Sequence, residues 1–378
     1  MIDPVAFCHS LKSKGVDFIS GVPDSLLAEF CACVNDIFPS EAHVISPNEG
    51  NAIGMAIGHY LNTGKPGLVY MQNSGIGNAV NPLVSLASSE VYSIPMVLVI
   101  GWRGEIDKAG GQLKDEPQHV LQGKITIAML ETLGIKTIIM DSEANADEVL
   151  NSALLQTTRD GNPVALLIRK NTFAPFDGKK RQHKTHALSR LNALDKVISA
   201  LDDEIPVFST TGKLSRELYE LRKSSGNSLQ RDFLTVGGMG HASSIAAGFS
   251  LSYKGRVACL DGDGALLMHM GALTETAKHS NFLHFLFNNG AHESVGGQPT
   301  AALELPLTGI ASQAGYENVF ECKGESSLMQ VLGKLSELQG SVFIEIFCSN
   351  TSDPGLGRPE KSPLKNREEF MSFVRSGH

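Results

Sequence analysis

The chain has 378 residues, of which 42% are hydrophobic, enough for two domains of ordinary size with large cores. A formal charge of −8 argues against nucleic acid as a partner, and any anionic substrate then needs a local basic pocket. No apolar run approaches membrane-spanning length, mean hydropathy is near zero and the N-terminus MIDPVAFCHS lacks a leader pattern, so a soluble, cytoplasmic protein with no membrane partner is expected.

The first half alternates strands and helices. Val5–Lys14 reads as an amphipathic helix and Asp17–Ser20 as a strand leading into GVPDS, where Asp24 or Ser25 caps a helix over Leu26–Val34. Cys31 and Cys33 are too close for a metal pattern, and the six cysteines read as reduced, mostly buried thiols. Val44–Ser46 is a short strand before Pro47-Asn48-Glu49 and a helix from Gly50 to Leu61, which Gly64 and Pro66 stop. Gly67–Gln72 is a strand, Asn73–Asn78 a loop, Ala79–Ala87 a helix and Pro95–Ile100 a buried strand entering Gly101–Glu105. Ile125–Leu133, Thr137–Met140, Ala146–Thr157 and Val164–Arg169 complete an α/β domain over residues 1–170.

Asn171–His186 breaks the rhythm with Pro175, Gly178 and a basic cluster from Lys179 to Lys184, so it reads as a linker with a solvated charged face. The alternation restarts in a second domain, residues 187–378. Its elements are a helix Ala187–Leu201, a strand Pro206–Ser209, a helix Lys213–Lys223, a strand Phe233–Val236, the glycine-rich Gly237–Gly240 and a helix Ala242–Ser250. Ser341–Phe347 reads as the last central strand.

Gly255–Thr300 carries the chemistry. Strand Arg256–Leu260 runs into the sharp turn Asp261–Gly264, followed by a helix Ala265–His279 and a second strand Phe282–Phe287. Twenty-three residues separate Gly264 from Asn288, enough for one helix and one strand returning to the same sheet edge, where α/β proteins place ligands. Asp263, Asn288 and Asn289 are oxygen donors suited to a hard cation such as Mg²⁺, with Asp261 pointing away. Gly262 and Gly264 let the backbone approach a bulky anion, towards which the following helix directs its positive end. Both segments are also ordinary turn sequences, and two turns flanking a helix need bind nothing.

A segment opening with GDG and closing with NN resembles the signature of thiamine-diphosphate enzymes. GVPDSLL, NEGNAIG, YMQNSGIGNAVNPL, YSIPMVLVIGWRGE, KDEPQH, TTGKLSREL, GGMGHASSIAAG and NNGAHESVGGQPT together resemble the phosphonopyruvate decarboxylases over nearly the whole chain, with sulfopyruvate decarboxylases of similar layout. Ile106–Leu113 departs from that pattern, lengthening the turn between WRGE and KDEPQH.

The resemblance implies two thiamine-diphosphate-binding folds, a pyrimidine-binding domain and a diphosphate-binding domain, each a mainly parallel sheet with helices on both faces. It implies thiamine diphosphate and Mg²⁺ as cofactors, sites between subunits and at least a homodimer. Asp263, Asn289 and the Ala291 carbonyl would hold the metal. Gly237, Gly262, Gly264, Ala265 and His292 would line the cofactor, and Met239 would support its bent shape, although core packing is the plain alternative. Glu49 would hydrogen-bond N1′ of the aminopyrimidine, against the alternative of an acid favoured by a helix dipole. Asp24 and His119 resemble acid–base residues, with a helix cap and a surface loop histidine as their rivals. Lys213, Arg216, Arg103, Lys114 and Arg358 are candidates for a phosphonate contact, with surface solvation as the alternative.

The reaction implied is decarboxylation of 3-phosphonopyruvate to phosphonoacetaldehyde, in phosphonate biosynthesis. A nucleotide-dependent dehydrogenase lacks its fingerprint, since Val80 stands where a third glycine should follow Gly75 and Gly77. A non-catalytic subunit of this fold would not need Glu49 together with Asp263 and Asn289. A sulfopyruvate decarboxylase, another 2-oxo acid decarboxylase or a carboligase remains the alternative.

Overall fold

Met96–Gly101 is buried at every position, as a strand must be when helices cover both faces of a parallel sheet. The computed structural model describes residues 1–178, 186–226, 229–349 and 355–376. They divide into two compact units, and residues 1–178 form the first together with Val295–Gln298.

The first unit contains, in order, α1 (Pro4–Ser13), β1 (Ile19–Gly21), α2 (Ala28–Ile37), β2 (His43–Ile45), α3 (Glu49–Thr63), β3 (Gly67–Gln72), α4 (Ile76–Pro82), β4 (Met96–Gly101), α5 (Pro117–Thr132), β5 (Lys136–Met140), α6 (Ala146–Asp160) and β6 (Val164–Ile168). The strands form a six-stranded sheet, order β2-β1-β3-β4-β6-β5, with parallel pairing throughout. Alternate residues feed two cores: Leu68, Tyr70, Val97 and Val99 face one, Val69, Met71, Leu98 and Ile100 the other. Asn48 caps α3 by accepting from Asn51 N at 2.9 Å, and Gly64 ends the helix with φ +71°.

The second unit contains α7 (Arg190–Ala200), β7 (Val207–Ser209), α8 (Lys213–Ser224), β8 (Asp232–Leu234), α9 (Ala242–Ser250), β9 (Val257–Gly262), α10 (Asp263–Met268), α11 (Leu273–Thr276) and β10 (Phe282–Asn288). Helix Leu307–Ala314, strand Asn318–Cys322, helix Glu325–Leu332, strand Val342–Phe347 and helix Pro363–Ser376 follow. Across its six-stranded parallel sheet the order is Asn318–Cys322, Val342–Phe347, β10, β9, β7, β8. Taken from the other side this repeats the topology of the first sheet. Each sheet therefore has one switch point, between β1 and β3 in the first and between β7 and β9 in the second. The crevice at the carboxyl ends of such strands is where open α/β sheets bind ligands.

The edge strand β8 is closed by the side chain of Asn366, which accepts from Leu234 N at 3.0 Å and donates to Asp232 O at 2.8 Å. This protects backbone groups that an open edge would expose.

Several local expectations are corrected. The residues after β3, read as a loop, are helical: a 3₁₀ turn Asn73–Gly75 leads directly into α4. The helix expected over Leu26–Val34 is a 3₁₀ turn Ser25–Leu27 continued as α2. The helix placed at Ile125–Leu133 begins eight residues earlier, at Pro117, which brings His119 into its first turn. The helix expected over Ala265–His279 breaks into α10, a 3₁₀ turn Met270–Ala272 and α11, because His269 leaves helical geometry at φ −136° and ψ 47°. The first part of the expected linker packs on the first unit: Phe173 is buried, Ile2 N donates to Thr172 O, and Ala174 N donates to Ile2 O. The basic cluster Lys179–Lys184 lies outside the described residues.

Inside the second unit, Arg222 holds Asp232 through Nε at 3.0 Å and Nη2 at 3.2 Å, both side chains almost fully buried. Removing only the cation leaves a carboxylate stranded away from water. Arg222→Leu is expected to cost about 3–5 kcal/mol in chemical denaturation. Arg222→Leu combined with Asp232→Leu should recover most of that loss.

Candidate active site

In the first unit, the candidate residues gather at the carboxyl edge of the sheet. Glu49 is the first residue of α3 and is buried. Asn78, from α4, donates from Nδ2 to Glu49 Oε2 at 2.7 Å. A Cβ on Gly75 would lie 2.3 Å from Glu49 Oε1, so the carboxyl occupies space that only glycine leaves open. Burial pushes the Glu49 carboxyl above its usual range, partly offset by the Asn78 amide and the helix backbone.

Asp24 is completely buried at the end of β1, where its Oδ2 accepts from Leu26 N at 3.1 Å. It is the cap expected from sequence, but its Oδ1 has no hydrogen-bond partner among the described residues. Gly101, ending β4, packs so closely that a Cβ there would lie 2.0 Å from Asp24 Oδ2. Burial pushes this carboxyl up to about 6, with the Arg103 charge acting in the opposite direction.

Arg103 donates to Asp115 from Nε at 2.8 Å and from Nη2 at 2.5 Å, and its Nη1 donates to Ser25 Oγ at 3.0 Å. Asn73 clamps the backbone beneath it, accepting from Arg103 N at 3.2 Å and donating to Arg103 O at 3.0 Å. The guanidinium is thus occupied by Asp115, whose carboxyl it holds well below the ordinary range against the effect of burial. Lys114, next to Asp115, is exposed.

His119 is buried rather than on a surface loop. Its carbonyl packs against Gly104, where a Cβ would lie 2.1 Å away and φ is +66°. The Ile106–Leu113 loop turns on Asp107, whose Oδ1 accepts from Ala109 N and Gly111 N, each at 2.8 Å. Gln112 Nε2 then reaches both Gly104 O at 2.8 Å and Val120 O at 2.7 Å, fastening the exit of β4 to the first turn of α5.

In the second unit, β9 passes directly into α10 at Asp263, which is buried. Thr300 Oγ1 donates to Asp263 Oδ2 at 2.5 Å, and burial pushes the carboxyl up to about 6. Asn289, just past β10, accepts from Ala291 N at 3.0 Å through Oδ1 and donates to Glu293 Oε2 at 3.2 Å through Nδ2. Asn288 turns inward, donating to Glu345 Oε1 at 2.7 Å and accepting from Gly290 N at 3.1 Å. Of the two asparagines, Asn289 is the one whose backbone hydrogen-bonds the Asp263 carboxyl. Asp261 also turns inward: its Oδ2 lies 3.4 Å from His284 Nε2, in a buried chain continuing through Tyr316 to Thr276.

The glycines divide the work differently from expectation. A Cβ on Gly262 would meet nothing nearer than the Thr210 methyl at 3.9 Å, so this turn is open to a ligand. At Gly264 a Cβ would press on His292 at 3.0 Å and Met239 Cε at 3.2 Å, so that glycine serves packing. Met239 is half-buried, and His292 is buried and pushed down to about 4 by burial, hence neutral at pH 7. Ala265 is buried within α10, its carbonyl 3.0 Å from the position of a Cβ on Gly240. Gly237, at φ +75°, donates from its backbone N to Thr211 Oγ1 at 3.0 Å.

Sequence reasoning missed Thr210, which directly follows β7 across the switch point from Asp263. Its buried Oγ1 has no hydrogen-bond partner among the described residues. The helix expected to direct its dipole at an anion is only the six-residue α10. An oxygen donor set beside an open turn and an orphaned hydroxyl fits a diphosphate held through Mg²⁺.

The basic candidates differ in their surroundings. Lys213, opening α8, donates to Glu293 Oε1 at 3.2 Å. Arg216 is half-buried on the same helix, and Arg358 is exposed.

The Asp24 environment has a pH signature. Its folded-state value of about 6 lies above the ordinary 3.8. Its favourable contribution is therefore present below pH 3.8 and lost as pH rises through about 6. Asp24→Asn should gain stability relative to wild type as pH rises from 4 to 7, by up to about 3 kcal/mol. Denaturant midpoints across that range measure it.

Residues 5–130 match the thiamine pyrophosphate enzyme N-terminal TPP binding domain, and residues 211–346 the C-terminal TPP binding domain. The chain is 30% identical to phosphonopyruvate decarboxylase of Streptomyces viridochromogenes, covering 99% of this chain and 95% of that protein. It is likewise 30% identical to phosphonopyruvate decarboxylase of Streptomyces hygroscopicus, covering 99% and 94%. Sulfopyruvate decarboxylase of Methanosarcina acetivorans is 27% identical, covering 96% and 95%. With two TPP binding domains and near-full-length similarity to these carboxy-lyases, the chain belongs to the thiamine-diphosphate-dependent decarboxylases of phosphonopyruvate and sulfopyruvate type, whose cofactors are thiamine diphosphate and Mg²⁺.

Proposed function

We propose that this chain decarboxylates 3-phosphonopyruvate to phosphonoacetaldehyde and CO₂, in phosphonate biosynthesis. Of the relatives compared over nearly their whole length, the two phosphonopyruvate decarboxylases share more identity with it than the sulfopyruvate enzyme does. The observation that carries the chemistry is the buried carboxyl of Glu49, raised by burial and held by Asn78.

Bound thiamine diphosphate supplies a nucleophilic carbon for the keto group and an electron sink for the pair released with CO₂. Glu49 holds the proton shared with N1′ of the aminopyrimidine, and Gly75 keeps that position clear. Asp263, Asn289 and the Ala291 carbonyl hold Mg²⁺. Gly262 and Thr210 face the diphosphate, while Gly237, Gly264, Ala265, His292 and Met239 shape its surroundings. Asp24 and His119 handle protons at the substrate, Asp24 being raised into the range where a carboxyl can donate or accept near neutral pH. The working unit is a homodimer or higher homo-oligomer with sites between subunits, in the cytoplasm.

The phosphonate end needs cationic donors in an acidic chain. Arg103 and Lys213 are each paired to a carboxylate, and Arg103, Lys114, Lys213, Arg216 and Arg358 are the candidates for that contact. Alanine at a true contact should raise KM for phosphonopyruvate about ten- to hundredfold more than for pyruvate. CO₂ release from phosphonopyruvate, sulfopyruvate and pyruvate, measured side by side, tests the substrate. Faster release from sulfopyruvate or pyruvate overturns it.

Glu49→Gln preserves size and a hydrogen bond but cannot share the proton. Cofactor C2–H exchange, followed by NMR, should slow about a hundred- to ten-thousandfold while thiamine diphosphate still binds. Exchange at the wild-type rate removes Glu49 from this role.

A further inference from the structure

An asparagine that ligates a hard cation must present its oxygen, yet the two ends of its amide have nearly the same shape. Orientation therefore has to come from neighbours. At Asn289 both ends are specified: Ala291 N–H donates to Oδ1 at 3.0 Å, and Glu293 Oε2 accepts from Nδ2 at 3.2 Å. An ionised carboxylate only accepts, so Glu293 can receive the NH₂ and never the oxygen.

Glu293 is itself held. Arg190 Nη1 donates to its Oε2, and Lys213 Nζ to its Oε1 at 3.2 Å. Arg190 is buried and fixed from the other side by Glu217, through Nε at 2.7 Å and Nη2 at 2.8 Å. Two cations thus donate to the Glu293 carboxylate, and two carboxylates balance the two cations. This network joins the first turns of α7 and α8 to the loop after β10, where nothing in the sequence spacing would bring them together.

We propose that Glu293, braced by Arg190 and Lys213, is a positioning residue that locks the Asn289 amide with its oxygen towards Mg²⁺. The inference rests on the reading of Asp263 and Asn289 as metal ligands. It also gives Lys213 a task other than binding phosphonate. Outer partners of metal ligands commonly affect metal affinity by about ten- to a hundredfold.

The test is calorimetric titration of Mg²⁺ into metal-depleted protein with excess thiamine diphosphate, so that binding rather than turnover is read. Glu293→Ala should weaken Mg²⁺ binding about tenfold. In Asn289→Asp protein, either carboxylate oxygen can ligate and no orientation is needed. There, the same Glu293→Ala change should cost less than about threefold, a coupling between the two sites. Equal losses in both backgrounds would show a structural or purely electrostatic role and overturn the proposal. Glu293→Gln, whose amide can donate as well as accept and so no longer fixes the Asn289 orientation, provides the same two-background comparison if the alanine protein does not fold. Asp263→Ala with undiminished Mg²⁺ affinity would instead refute the ligand reading itself, whatever Glu293 does.

Discussion

Two buried carboxylates set the terms for this structure. Glu49 and Asp263 each open a helix leaving the carboxyl edge of a parallel sheet, and each is pushed above the ordinary carboxyl range by loss of water. Desolvating such a group is costly unless hydrogen bonds or a cation compensate. The surroundings supply that compensation in different forms. Glu49 has Asn78 and the first turn of a 15-residue helix, whereas Asp263 has Thr300 and the backbone around a short helix.

Both carboxylates are placed by the same architectural device. Each unit has six parallel strands in one shared topology, whose continuous apolar strands bury sheet faces under helices and leave chemistry only at the strand ends. Asp24 and Asn73 lie on the two sides of the first switch point, Thr210 and Asp263 on the two sides of the second. A residue pair separated by dozens of positions becomes adjacent because its strands are neighbours. Close backbone approach completes the arrangement, as where Gly75 meets Glu49 and Gly101 meets Asp24.

The cations nearest these edges mostly hold other residues in place. In an acidic chain, Arg103 is bound by Asp115, and Arg190 by Glu217 and Glu293. Buried pairs of this kind contribute little net stability, since desolvation offsets their attraction, but each limits its partners to few geometries. Arg103 braces the segment between β4 and α5, and Gln112, from the Ile106–Leu113 loop, fastens the same segment at Gly104. That loop is thereby built into the frame around His119.

Much of this was legible in the amino-acid order because it depends on local periodicity and local chemistry. Apolar runs such as Pro95–Ile100 and Val164–Arg169 could only be buried strands, and the GDG and NN segments reported an oxygen-rich edge together with its cofactor class. Glu49 and Asp24 were recognisable as helix-start acids, but their local context suited a cap as well as a catalytic group. Only tertiary structure shows how deeply these carboxyls are buried, because burial is set by residues remote in the chain: Gly75 and Asn78 for Glu49, Gly101 and Arg103 for Asp24, which is also a cap. The break at His269, the helical course of Asn73–Asn78 and the strand Asn318–Cys322 escaped the sequence because packing overrode or supplied what propensity did not. Thr210 and Glu293 carry no local signal at all, a threonine at a strand end and a glutamate in a loop being ordinary. Their significance arises where neighbouring strands and helix ends converge, and the physical reason is that orphaned or oriented polar groups exist only once water has been excluded around them.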